Sequence, residues 1–134
     1  MKRDILFRGK KKQGEWVYGL LGCNYFRPNE KYYYIHNCET DDTEHEVILE
    51  TVGQFTGLTD KNGKKIFEGD IVQGTIVSAW NKALIRCEVV YNKDGFIAVE
   101  KTRNQDWTHK LKFAKDIEVI GNIHDQDIGE KKNG

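Results

Sequence analysis

A mainly β fold, made of short antiparallel strands, is the fold class that the sequence predicts. Apolar residues alternate with polar ones more often than they recur at helical spacing, and turn-forming residues interrupt the chain at short intervals. No stretch keeps a helical period for longer than a turn or two. With 134 residues, 38% of them hydrophobic, the chain can bury one core that is shared between two subdomains. We expect a β-rich amino-terminal subdomain over residues 1–46 and a barrel-like subdomain over residues 47–134.

The amino-terminal strands begin with a hairpin. Residues 5–7 and 16–21 are apolar runs separated by the glycine-bounded basic turn of residues 9–14. An aromatic strand follows at residues 32–35, after a loop that contains the single proline, Pro28. These segments predict an antiparallel arrangement of three strands.

A block of acidic residues separates this part from the rest of the chain. Residues 39–46 carry five aspartates or glutamates and no lysine or arginine. We interpret this acidic stretch as an exposed loop or linker, and we place the boundary between the subdomains at its end.

Six further strands are predicted in the second subdomain. They cover residues 51–58, 66–72, 83–91, 96–99, 107–113 and 117–123. Asn62-Gly63, between the first two, is a strong hairpin signal because both residues tolerate positive φ. In the third strand, Ile85, Cys87 and Val89 alternate onto one apolar face. The fifth strand places four residues on one face: Trp107, His109, Leu111 and Phe113. We expect the polar tail from Gly129 onward to fray.

The charge balance restricts the classes of partner. Lysine plus arginine equals aspartate plus glutamate at 21 each, so no protein-wide field attracts a polyanion or an anionic membrane. The apolar runs are too short for a signal peptide or a membrane span, which predicts a cytoplasmic protein. Cys23, Cys38 and Cys87 are an odd number of cysteines, and we expect them to be reduced thiols.

A local basic surface is the candidate site for nucleic acid. Up to residue 20 the chain has six basic residues against two acidic ones. The candidate contact residues combine cations with neighbouring aromatic side chains: Arg8, Lys10, Lys11, Lys12, Trp16 and Tyr18. The alternative is that the lysines solubilise a hairpin tip or protect an edge strand. The acidic stretch that follows residue 39 also carries the opposite charge, which favours the second interpretation.

Metal and cofactor sites are not predicted. Cys23, His36, Cys38 and His45 have ligand chemistry suited to zinc, but they lack the close pairs of ligands that zinc ribbons use, and partly buried strand residues are the favoured interpretation. The segment Asp60-Lys61-Asn62-Gly63 begins like a calcium loop, but its glycine comes at the fourth position rather than the sixth. Turn chemistry explains this segment.

Catalytic constellations are also missing from the sequence. Ser78 is the only serine, and it is not within a Gly-x-Ser-x-Gly elbow. Cys87 alternates onto an apolar face, where a thiol is inert. Glu68 and Asp70 have strand spacing, and we expect Asp70 to accept hydrogen bonds from backbone amides of a turn rather than to perform acid–base chemistry. The sequence thus predicts a non-enzymatic protein.

Three segments carry a resemblance to a known family. They are the glycine-punctuated run of residues 50–72, the opening residues 5–10 with 15–19, and the closing residues 117–124. Together they resemble the YopX-like family of phage and prophage proteins. The intervening residues 32–46 and 73–108 carry little of the resemblance, so nothing located there can be transferred.

The resemblance implies a phage or prophage origin in a bacterial cell, an SH3-like barrel in the carboxy-terminal part, and self-association. It transfers no catalytic or binding residue onto this numbering. Two functions follow as expectations. The first is an interaction module that uses exposed edge strands and aromatic residues to bind a protein partner or a second copy. The second is a nucleic-acid-associated phage accessory protein that uses the basic hairpin.

Overall fold

The fold is described by a computed structural model for residues 5–37, 43–93 and 95–125. The described residues form ten β-strands, and the predicted mainly β class is confirmed. The strands are Phe7–Lys10 (β1), Trp16–Arg27 (β2), Glu30–Asn37 (β3), Thr43–Thr59 (β4), Lys65–Phe67 (β5), Asp70–Val77 (β6), Lys82–Asn92 (β7), Gly95–Lys101 (β8), Asp106–Lys110 (β9) and Glu118–Asn122 (β10). All of the strand pairs with a described register are antiparallel.

Two compact units divide the chain, Met1–Phe55 and Thr56–Gly134. The change of unit falls inside β4. The predicted linker at 39–46 lies partly outside the described residues, and its part from Thr43 onward begins β4 instead of forming a loop. This difference arises because the acidic side chains there alternate with half-buried His45 and buried Val47, which is the pattern of a strand with one solvent-exposed face. The boundary between 1–46 and 47–134 stays a prediction.

The amino-terminal unit contains a small closed ring of strands. Neighbouring strands β1 to β4 pair in sequence order, and β1 also pairs with β4, which closes the ring. Buried Ile35, Val47 and Phe55 belong to this unit. A Cβ at Gly9 would come within 2.9 Å of the Val47 Cβ, so the glycine allows β1 to pack closely on that side chain. The predicted first hairpin is confirmed by the pairing of Lys10 with Trp16.

The carboxy-terminal unit contains a five-stranded sheet in the order β10-β6-β7-β8-β9. Strands β6 to β9 form a meander, and β10 returns to pair with β6. This arrangement is consistent with the predicted SH3-like barrel. Its core contains the predicted face of β7, since Ile85, Cys87 and Val89 are all buried. They pack with Val72 and Ala98 from the neighbouring strands.

Two predicted strands have different limits in the structure. The strand predicted over 107–113 ends at Lys110, and Trp107 is half-exposed rather than part of an apolar face. Turns follow, because Phe113 leaves the strand direction and packs near Gly74, whose lack of a side chain makes room for it. The segment predicted over 66–72 is divided by a turn at Gly69, which has a φ of 94°. The tail from Gly129 lies outside the described residues.

Within the described part of the chain, no helix has the length and apolar character needed to cross a membrane.

Candidate functional site

The basic amino-terminal hairpin holds two of its cations against an aromatic ring. Arg8 and Lys10 are only 5% and 7% exposed. The Arg8 guanidinium carbon lies 4.8 Å from the centre of the Trp16 ring, and the Lys10 ammonium lies 5.5 Å from it. Alternate residues of β1 share a face, which brings both cations to the tryptophan on the paired strand. These three predicted contact residues therefore form a packed cluster.

The remaining members of the predicted contact set are more accessible. Lys12 and Tyr18 are exposed, and Lys11 is half-buried. Lys11 and Lys12 line a groove of about 500 Å³ together with Glu44 and further glutamates of β4. The two lysines therefore share the lining of this groove with residues of opposite charge. Nucleic-acid contact by this hairpin stays a prediction.

The cysteine and histidine residues considered for zinc do not converge in the described region. His45 pairs with Ile35 and His36 pairs with Glu44, so the two imidazoles project to opposite faces of the sheet. The His45 Nε2 atom lies 2.9 Å from the Thr43 hydroxyl. Cys38 lies outside the described residues. Among the residues that the structure describes, no three metal-ligating side chains form a group.

Cys87, Ser78 and Asp70, which the sequence analysis weighed for catalysis, have structural roles or surroundings. Burial, together with the negative charge of Glu100, raises the pKa of the Cys87 thiol to about 11, so the thiol stays protonated at neutral pH. Glu100 is itself paired with His109 through a contact of 3.1 Å. The Ser78 hydroxyl accepts the Asn81 N–H and donates to the Asn81 carbonyl within a turn. Asp70 is buried and accepts the Phe67 N–H at 2.7 Å, which confirms its predicted role in a turn.

Asp60 is a second buried carboxylate with a structural role. Its Oδ1 accepts the N–H groups of Asn62 and Lys64, and its Oδ2 accepts that of Val119, each at 2.9 Å. The interpretation of residues 60–63 as a turn is confirmed, since the Gly63 N–H also bonds the Asp60 carbonyl. Both oxygens of the Asp60 carboxylate therefore accept hydrogen bonds from backbone N–H groups of the same unit.

A groove in the carboxy-terminal unit is a surface feature that the sequence did not indicate. Its volume is about 1100 Å³. Apolar side chains contribute to its floor: Leu58, Ile66, Val77, Leu111, Phe113 and Ile117. Four lysines also line it: Lys61, Lys82, Lys112 and Lys115. We call this feature the lysine groove. The only hint in the sequence is the density of lysines from residue 110 to residue 115.

Charge in the lysine groove is unbalanced. Its two carboxylates are Asp60, which is bound to backbone amides, and Asp116, which accepts the Thr75 N–H at 2.8 Å. Lys61 is partly neutralised by Glu118 at 3.6 Å. Lys112 and Lys115 are exposed, and neither makes an ion pair within the described residues. The groove is therefore apolar at its floor and cationic overall.

The tip of the β6–β7 hairpin adjoins the lysine groove, because Val77 and Lys82 belong to both. Trp80 at this tip is 95% exposed, and Val77 is 65% exposed. Leu84 is exposed as well and is a diagonal neighbour of Val77 on the same face. We call Val77, Trp80 and Leu84 the β6–β7 tip. Its turn is fixed by the hydrogen bonds of Ser78, so the tryptophan is presented on an ordered loop.

These features define a class of protein: an all-β chain of two compact units that offers apolar and aromatic contact surfaces on strands and hairpin tips. Residues 6–127 match the family described as YopX protein. The chain belongs to the YopX family, and the resemblance seen in the sequence is confirmed. No curated protein matches the chain.

Proposed function

We propose that this YopX-family chain is a non-enzymatic interaction module that binds a protein partner through the β6–β7 tip and the adjoining lysine groove. The observation that carries the proposal is the 95% exposure of Trp80 on an ordered turn. Tryptophan is enriched among the residues that dominate binding energy at interfaces. Covering this side chain with a partner would contribute about 2–4 kcal/mol of binding free energy.

The amino-terminal unit supports the same type of function. Its β2–β3 hairpin exposes Tyr25 and Phe26 next to the turn at Pro28, and Phe26 is 73% exposed. Aromatic residues that project from a hairpin end present large apolar area with few rotatable bonds. The interaction function thus has contact residues available in either unit.

The alternative function, nucleic-acid binding by the basic hairpin, has weaker support. Arg8 and Lys10 are packed on Trp16, and glutamates share a groove with Lys11 and Lys12. A phage or prophage origin, which the family resemblance implies, and a cytoplasmic location, which the short apolar runs predict, are part of the proposal.

A peptide-display selection against the intact chain tests the proposal. Selected peptides are then titrated against the wild type, Trp80→Ala and Trp107→Ala, with fluorescence anisotropy as the readout. Trp107 is the matched control, because it is a half-exposed tryptophan on β9 of the same unit. We expect Trp80→Ala to weaken binding by about 10-fold or more, which corresponds to a loss of about 1.4 kcal/mol or more.

Two results would contradict the proposal. Peptides whose affinity is the same for all three chains, or a selection that enriches no binder, would remove the β6–β7 tip as a contact surface. Unfolding curves accompany the titration. Because Trp80 is almost fully exposed, its substitution should change the free energy of unfolding by no more than about 0.5 kcal/mol.

A further inference from the structure

We propose that the lysine groove binds an acidic peptide in extended conformation, with apolar residues between its acidic ones, by adding it as a strand to the free edge of β6. The inference rests on the proposed function, since it names the chemistry of the partner at the same surface. Three features of the groove carry it: an open strand edge, a cationic rim and an apolar floor.

The open strand edge follows from the hydrogen bonds of β6. The Thr75 N–H bonds the Asp116 carboxylate rather than the facing residue of β7, so Thr75 and Leu84 are a non-hydrogen-bonded pair. Hydrogen-bonded and non-hydrogen-bonded pairs alternate along antiparallel strands. The hydrogen bond from the Ser78 N–H to the Asn81 carbonyl agrees with this assignment, because it makes the pair at Ser78 a hydrogen-bonded one. The N–H and C=O of Val77 therefore point away from β7.

Strand β10 does not reach this part of the edge. Along β6 it pairs from Asp70 to Gln73 and no further. Beyond that point, Thr75 and Val77 line the lysine groove, with the Thr75 N–H already satisfied by Asp116. The edge can therefore offer the Val77 N–H and C=O and the Thr75 C=O to an incoming strand.

The cationic rim determines the charge of that strand. Lys82, Lys112 and Lys115 line the groove without an ion pair among the described residues, whereas both aspartates of the groove are hydrogen-bonded to the backbone. Each acidic side chain placed on this rim gains an opposite charge within a short distance, and it is steered there over about 10 Å at 0.1 M salt.

The apolar floor favours a peptide over a nucleic acid. Single-stranded nucleic acids are held by aromatic rings on which successive bases stack. The groove has one aromatic lining residue, Phe113, whose ring is packed against His109 with the ring centres 5.6 Å apart, and Trp80 of the adjoining β6–β7 tip is a single exposed ring rather than a series. Aliphatic Leu58 and Val77 instead match the apolar side chains that recur at every second position of an extended peptide.

Titration of the intact chain with defined probes tests the inference. The acidic probe is a fluorescent peptide of about ten residues that alternates glutamate with valine or leucine. A second probe replaces every glutamate with glutamine, and a third is a poly-dT oligonucleotide of similar length. We expect the acidic peptide to bind at least about 5-fold more tightly than the glutamine peptide, and its affinity to fall as salt rises.

Two sets of variants locate the binding. Lys112→Gln with Lys115→Gln should weaken binding of the acidic peptide about 5-fold or more, whereas Arg27→Gln with Lys31→Gln, which alters exposed cations of the other unit, should leave it unchanged. Strand addition is tested on the probe itself, which avoids any effect on folding. Methylating the backbone nitrogens along one edge of the peptide should abolish binding, and methylating the other edge should not.

The results separate this inference from the proposed function. Equal binding of the acidic and glutamine peptides, tolerance of methylation on both edges, or tighter binding of the oligonucleotide would overturn the acidic-strand inference. Selected peptides that still depend on Trp80 would leave the interaction module standing in each of these cases.

Discussion

Asp60 joins two parts of its unit through a single side chain. Its carboxylate accepts two N–H groups of its own turn and the N–H of Val119 on β10. The turn was predictable, because aspartate before an Asn-Gly pair favours it. The third hydrogen bond was not, since it joins residues that are 59 positions apart in sequence.

We expect Asp60→Ala to lower the free energy of unfolding by about 2–4 kcal/mol, because it leaves the buried Val119 N–H and two part-buried backbone N–H groups without this acceptor. Urea unfolding followed by circular dichroism measures the change. Asp106→Ala is the control, since Asp106 is an exposed aspartate at the start of β9. Equal stability of the two variants would show that Asp60 has no special structural role.

The same carboxylate should make stability depend on pH. Burial by itself raises the pKa of Asp60, but the hydrogen bonds from Val119, Lys64 and Asn62 outweigh burial and lower the pKa below its ordinary value. A lowered pKa in the folded state stabilises the fold above the ordinary value of about 3.9 and loses this effect as pH falls through the folded pKa.

The stability difference between the wild type and Asp60→Asn is therefore expected to shrink from about pH 6 to about pH 3. Denaturant unfolding at several pH values gives this difference. Asp116, whose pKa is lowered by the hydrogen bond from Thr75, is present in both chains and cancels. A difference that stays constant over this range would contradict the assigned role.

Two glycines of β2 allow this strand to lie close to β3. A Cβ at Gly19 would overlap the carbonyl oxygen of His36, and one at Gly22 would lie 2.5 Å from the ring of Tyr34. Tyr34 thus covers the glycine of the paired strand. The sequence predicted both strands, but not this close contact, because the register of the hairpin sets which residue faces each glycine.

Gly19→Ala should lower the free energy of unfolding by about 2–3 kcal/mol, because backbone atoms cannot move aside as a flexible side chain can. Gly121→Ala is the control, since a Cβ at Gly121 in β10 would have no atom within 4 Å. Thermal unfolding of both variants measures the difference. Similar melting temperatures would mean that β2 shifts away from β3 at little cost.

The strand limits show where sequence patterns are reliable. Ile85, Cys87 and Val89 alternate with polar residues and are buried as predicted. Alternation also continued past Lys110, yet β9 ends there. Local alternation determines which face a strand buries, whereas the end of a strand depends on what the chain must pack against next.

The whole chain is neutral, with 21 basic and 21 acidic residues. A neutral protein lacks the field that holds nucleic acid non-specifically. We therefore expect no binding of a fluorescent single-stranded oligonucleotide by the amino-terminal hairpin at about 150 mM salt. Lys11→Gln with Lys12→Gln is the matched variant, and salt-dependent binding that this variant abolishes would restore the nucleic-acid function.

The sequence by itself determined the β class, most of the strands, the turns at glycine and aspartate, and the family. These properties follow from periodicity and turn chemistry, which act between residues that are near in sequence. The structure decided the rest. It packed Arg8 and Lys10 onto Trp16, and it assembled the lysine groove from segments far apart in the chain. Such surfaces depend on which distant strands become neighbours, and that information appears only in the tertiary fold.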